Sequence, residues 1–291
     1  MTDFVSFHSD PRLEDPVLIA AFRGWNDAGD AATFAAQHLS SSWAGRRMAS
    51  IDPEEFFDFQ SVRPEVELTD GITRNIRWPE NEFFTGKTSE GRDVIVLVGT
   101  EPNNRWRTFV NLVVDVARKM DVRLLVTLGA LLADVPHSRP VHITGTAMDP
   151  DLVTKLGLSR SRYEGPTGIV GVLHDAFSKN GIDSASLWAA VPHYISVTPN
   201  PKAAVALVRK ATELMGASVD TSTLELATRS YEERVSEMVA SDEDVQAYVR
   251  LLEERSDERD REEAIDPGEL PSGDSLAAEL ERFLRDRGDG S

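Results

Sequence analysis

The chain has 291 residues, 41% of them hydrophobic, no cysteine, and a formal net charge of −18. That length can hold one full core and an accessory unit, and the missing cysteines exclude disulfides, thiolate nucleophiles and zinc–thiolate sites, as expected of a cytoplasmic protein. The acidic balance disfavours nucleic acid and anionic membrane as partners. No apolar run reaches the ~20 residues of a membrane-spanning helix, and the N-terminus lacks the features of a secretory signal.

Residues 1–16 read as an irregular lead-in. "PVLIAAF" (16–22) is apolar throughout and predicts a buried strand, and "AATFAAQHL" (31–39) predicts a helix. Between them lies "FRGWNDAGDA" (22–31), too polar for a plain connector. "SIDPEEFFDFQ" (50–60) reads as an extended segment. "RPEVELTDGITRNIRWPE" (63–80) predicts a β-hairpin with a three-residue loop Thr69-Asp70-Gly71 that pairs Leu68 with Ile72. Val66, Leu68, Ile72 and Ile76 then share one face, whereas a two-residue Asp70-Gly71 turn would scatter them.

"DVIVLVG" (93–99) and "VRLLVTLG" (122–129) are continuous apolar runs, as expected of strands covered on both faces. Phe109, Leu112, Val113 and Val116 between them have helical spacing. "VHITGTA" (141–147) and "SLWAAVP" (186–192) are further strands. "GIVGVLHDAFSKNG" is a helix stopped at Asn180-Gly181. This alternation predicts an α/β protein, a three-layer α/β/α sandwich around a mostly parallel mixed sheet.

Beyond residue 200 the pattern is helical. One helix starts at Pro201 and stops at Gly216. Ser222-x-x-Glu225 and Ser241-x-x-Asp244 resemble capping boxes that open two more. Residues 256–274 read as a charged linker before a short amphipathic helix with Leu276, Leu280, Phe283 and Leu284 on one side. Residues 229–291 carry 20 acidic and 9 basic side chains, so a solvated acidic layer is expected there. The domains are read as a core over 1–216, with the hairpin inserted at 63–80, and an acidic helical domain over 217–291.

In open α/β sheets ligands bind beyond the carboxyl ends of the strands. Four strand-end stretches carry polar residues: the opening turn with Gly24, Trp25, Asn26, Asp27, Gly29 and Asp30, then "GTEPNNRW" (99–106), "GALLADVPHSR" (129–139) and "PHYISVTPNP" (192–201). The turn has neither G-x-G-x-x-G spacing nor a Lys-Ser/Thr pair, so dinucleotide and P-loop binding are unsupported. Asp27 or Asp30 can instead cap the following helix, Asp30 standing in the N-cap position. Glu101 and Arg105 read either as an acid beside a carboxylate clamp or as a local ion pair, the commoner case. His193, at a strand end, is the histidine best placed for a site. The spacing of His137 and His142 gives no metal set, there is no G-x-S-x-G elbow, and no cofactor is expected.

Taken together, "LIAAFRGWNDAGDAA", "GTEPNNRW", "LGALLADVPHSRP" and "PHYISVTPNPKAAVALVRK", in order over residues 18–210, resemble the proteasome assembly chaperone 2 family in its bacterial branch. The resemblance implies a phosphorylase/hydrolase-like core, a hairpin that serves oligomerisation with a trimer as the first expectation, and C-terminal helices that form a lid over the strand-end cleft. It carries over no catalytic residues. Gly24, Trp25, Asn26, Asp27, Gly29, Glu101 and His193 match its motifs and, with Arg105, form the candidate ligand- or partner-binding set. Two functions stay open: a non-catalytic interaction or assembly-chaperone-like protein, and a small-molecule-binding protein or hydrolase/phosphorylase-like enzyme with its site under the lid.

Overall fold

Aliphatic runs without polar alternation form strands covered on both faces, and four such runs make the centre of the sheet. The computed structural model describes residues 4–69, 73–147, 159–160 and 164–264. Its strands are β1 (Val5–Phe7), β2 (Val17–Arg23), β3 (Arg46–Ile51), β4 (Glu65–Thr69), β5 (Thr73–Arg77), β6 (Asn81–Lys87), β7 (Asp93–Thr100), β8 (Leu124–Ala133), β9 (Ile143–Ala147), β10 (Ser159–Arg160) and β11 (Asp183–Pro192). The helices are α1 (Ala31–Ser42), α2 (Trp106–Lys119), α3 (Ile169–Lys179), α4 (Pro201–Met215), α5 (Ser222–Ala240) and α6 (Glu243–Ala264).

Nine strands form one sheet in the order β1-β3-β6-β7-β2-β8-β11-β9-β10. β7, β2, β8 and β11 run parallel, with Ile19 beside Val96 and Leu187 beside Leu128. β6 and β9 flank them antiparallel. Alternate residues of β2 feed opposite cores. Val17, Ile19 and Ala21 pack with α1 and α4, whereas Leu18, Ala20 and Phe22 pack with α2 and α3. The protein is thus a three-layer α/β/α sandwich on a mixed sheet.

β4 and β5 stand apart as a two-stranded ribbon. Leu68 pairs with Arg74 and Val66 with Ile76, two residues out of register from the expected pairing of Leu68 with Ile72. Because a shift of two preserves parity, Val66, Leu68 and Ile76 still share a face. Asp70, Gly71 and Ile72 lie outside the described residues.

Other boundaries move as well. Of residues 50–60 only Ser50 and Ile51 are extended, as the end of β3: the chain then turns at Pro53, whose carbonyl accepts the N–H groups of Phe56 and Phe57, and both rings are buried. α5 begins at Ser222, so that residue is not its cap. Asp242, rather than Ser241, closes the start of α6 through the N–H groups of Asp244 and Val245. α6 continues to Ala264 through the first half of the expected linker, and residues 265–291 lie outside the described set.

α5 and α6 cover the ends of β8 and β11. Tyr231, Val235, Val239 and Val249 bury an apolar seam against Tyr194, Ile195 and Val197. Arg139, just after β8, holds Asp257 of α6 through Nε at 2.7 Å and Nη2 at 2.9 Å. Among the described residues no helix is long and apolar enough to cross a membrane.

Candidate functional site

β2 delivers the chain to the polar turn at Gly24, whose φ of 134° favours glycine. A Cβ there would also sit 3.2 Å from the Cβ of Glu101. Glu101 is drawn close because its N–H extends the β2–β7 ladder to the Arg23 carbonyl at 2.9 Å. Trp25 projects into solvent, 63% exposed. Asn26 turns inward and is fully buried. Its Nδ2 donates to Glu101 Oε1 at 2.7 Å, and the same oxygen accepts the N–H of Ile169 at 2.8 Å. Glu101 therefore caps α3 from across the sheet, its negative charge facing the positive end of the helix.

Asp27 does the same for α1. Its Oδ1 accepts the N–H of Ala32 at 2.6 Å and of Thr33 at 3.3 Å, and its Oδ2 accepts the Thr33 hydroxyl. Asp30, the expected N-cap, makes no capping bond and sits at φ 51°. A 3₁₀ turn, Ala28–Asp30, with Gly29 at φ 62°, separates Asp27 from the helix and lets its carboxylate lie back over the first turn. Burial pushes the Asp27 carboxyl up to about 6, while hydrogen bonds from Thr33 and Ala32 work against it.

The other strand ends join the same turn. The Asn26 carbonyl accepts the N–H of Ala130 at 2.8 Å, and the Gly29 carbonyl accepts that of Asn200 at 2.8 Å. Asn200 Oδ1 in turn caps α4 through the N–H of Ala203 at 3.0 Å. Three helix N-termini thus converge on residues 26–30, and the side chains of Asp27, Glu101 and Asn200 close them.

Two expected members stand elsewhere. Arg105 does not pair with Glu101; it binds Glu55 and lies 5.5 Å over the Phe4 ring. His193 belongs to an aromatic group beneath α6. Its Nδ1 is 3.1 Å from Asp134 Oδ1, and its ring packs edge-on against Tyr194 and Tyr248. Beside it the Tyr194 hydroxyl accepts the N–H of His137 at 2.8 Å and bonds its Nδ1 at 2.9 Å. Burial and the nearby Lys202 ammonium hold His137 below the usual histidine range. Among the described residues no group of three His, Asp or Glu side chains is arranged to hold a metal ion.

An open groove of about 800 Å³ borders the turn at Arg23 and Gly24, at the ends of β2 and β7, between α1 and the base of the ribbon. Arg23, Arg63 and Trp78 line it, together with Glu65, Glu80 and Glu82. No sequence spacing announced it, because its walls come from five separate stretches of chain.

A family model, the PAC2 family, matches residues 21–239, from within β2 to the last turn of α5. The chain belongs to the PAC2 family. A PAC2 family protein from Streptomyces avermitilis is 44% identical, with 81% of this chain and all of that one covered at a TM-score of 0.75. The Mycobacterium tuberculosis proteasome-assembly chaperone homologue Rv2125 is 43% identical over 80% of this chain and 99% of its own, at a TM-score of 0.74. PbaB of Pyrococcus furiosus, an archaeal proteasome activator, shares the fold at 19% identity, 80% and 97% coverage and a TM-score of 0.66. Comparison with curated proteins returns no match.

Proposed function

We propose that this PAC2 protein is a non-catalytic interaction protein of the assembly-chaperone kind, acting in the cytoplasm as a homo-oligomer, a trimer by first expectation, joined through the ribbon β4–β5. The observation that carries this reading is the ribbon's apolar face. Val66, Leu68 and Ile76 are 55%, 62% and 51% exposed on a two-stranded element, and such a face is a liability unless another surface covers it. The polar turn supports the same reading. Its Asp27 and the neighbouring Glu101 hold helix N-termini, so their chemistry serves the scaffold. The likeness to a proteasome-assembly chaperone homologue at 43% identity supports a protein partner.

Light scattering on the full chain and on the Val66→Lys/Ile76→Lys variant tests the oligomer. The wild type should give a multiple of the chain mass and the variant the mass of one chain; equal masses refute the ribbon's part. For the partner, sedimentation of the full chain with purified proteasome subunits from the same organism should show a co-migrating species, and separate migration of all components rejects the chaperone role.

A further inference from the structure

We infer that the groove at the ends of β2 and β7 is a binding site for a small planar anion, an organic carboxylate or phosphate ester. The inference goes beyond the interaction reading and does not rest on it.

Topology places the groove. β2 and β7 are neighbouring parallel strands, yet the helix that follows β2 packs on one face of the sheet and the helix that follows β7 packs on the other. Adjacent strands whose connections leave to opposite faces open a crevice at their carboxyl ends, the position where α/β sheets take ligands. Here the crevice is walled on the outside by the ribbon base, which enlarges it to about 800 Å³, within the range of ligand pockets.

Charge gives the ligand its sign. The neighbouring arginines are engaged: Arg47 binds Glu80 at 2.5 Å and Glu82 at 2.6 Å, and Arg77 binds Glu67 at 3.2 Å. Glu80 and Glu82 also line the groove but are tied up by Arg47, and among the described residues Arg23 and Arg63 form no ion pair, against one such carboxylate, Glu65, so the unpaired lining is cationic on balance. Guanidinium groups bind carboxylates and phosphates in bidentate fashion. Trp78 sets the shape. It is wedged edge-on against Phe59 with ring centroids 4.8 Å apart, remains 44% exposed, and lines the groove, so a planar group can lie against it. The chain's net charge of −18 repels an acidic polymer over its whole length but penalises one compact anion far less, because salt screens beyond ~8 Å.

Thermal-shift titrations of the full chain with phenyl phosphate, benzoate and the neutral benzamide test the site. One or both anions should raise the melting temperature saturably while benzamide does not, and the stronger anion identifies the headgroup. Arg23→Gln/Arg63→Gln should raise the half-saturating concentration at least about tenfold with an unchanged far-UV spectrum. Either single variant, expected to weaken binding severalfold, substitutes if the double variant does not fold. No saturable shift with either anion, an equal shift with benzamide, or an unchanged half-saturation in the variants would overturn the site. None of these outcomes bears on the ribbon or its oligomer.

Discussion

Asp27 reaches forward five residues to close the first turn of α1, its Oδ1 accepting the Ala32 N–H at 2.6 Å. Asp27→Ala leaves that N–H, the Thr33 N–H and the Thr33 hydroxyl without their acceptor. The expected cost is ~1–2 kcal/mol, the range of a lost N-cap, read from urea unfolding at about pH 4, where the raised pKa does not count against the wild type. An unchanged midpoint would show that water takes over the role.

The same carboxyl has a pH signature. Its folded pKa of about 6 lies above the ordinary 3.8, so the folded state holds the proton more tightly than the unfolded chain. This contribution to stability is therefore full below about pH 4 and is lost as pH rises through about 6, by up to ~3 kcal/mol. Asp27→Asn removes the slope. Urea melts at about pH 4 and about pH 7 should show the variant gaining on the wild type by ~2–3 kcal/mol. A constant difference would mean that Asp27 titrates as an exposed carboxyl.

Gly168 and Asn26 are coupled. A Cβ at Gly168 would stand 2.0 Å from Asn26 Oδ1, so Gly168→Ala should cost ~1–3 kcal/mol by overpacking. Because Asn26→Ala removes the obstructing atom, the double variant should cost less than the sum of the two singles. Strict additivity in chemical denaturation would separate the two positions.

Tyr194→Phe removes the acceptor of the buried His137 N–H. A loss of ~1–3 kcal/mol is expected for that orphaned donor. Since burial raises the Tyr194 phenol to about 12, the loss should not vary with pH between about 7 and 9. Calorimetry across that range is the check.

Arg139→Ala releases α6 from its forked hold on Asp257. Amides of α6 should then exchange faster with solvent, while those of β2 and β7 keep their protection. Added salt should mimic part of the effect in the wild type, because the pair is partly exposed. Equal protection of α6 in both proteins would show that the apolar seam alone retains it.

What the sequence displayed was whatever depends on near neighbours. The aliphatic runs of β2, β7 and β8 and the 3–4 spacing of Phe109, Leu112, Val113 and Val116 are local patterns, and they gave the layers correctly. β3 and β6 were hidden because Arg46, Arg47 and Gly86 interrupt their apolar runs. Asp30 looked like the N-cap because the spacing fits; the 3₁₀ turn that hands the role to Asp27 depends on backbone angles at Gly29 that no local pattern specifies. The partner of Arg105 lies 50 residues away at Glu55, beyond any spacing rule. The hairpin register differs because Gly71 marks where a turn falls but not how many residues it takes, and neither a loop ending at Gly71 nor a two-residue Asp70-Gly71 turn sets Leu68 opposite Arg74.

The β1 border of the large sheet is unequal to its middle. β1 offers three residues, whereas β4 and β5, outside that sheet, are five residues each. Short borders give an incoming strand little backbone to pair with, a common guard against uncontrolled stacking of sheets from one molecule to the next. The ribbon has no such guard on its outer rims. Backbone-to-backbone recruitment is therefore steered away from the β1 border and toward the ribbon, and strand-mediated clumping should rise when the ribbon is left uncovered.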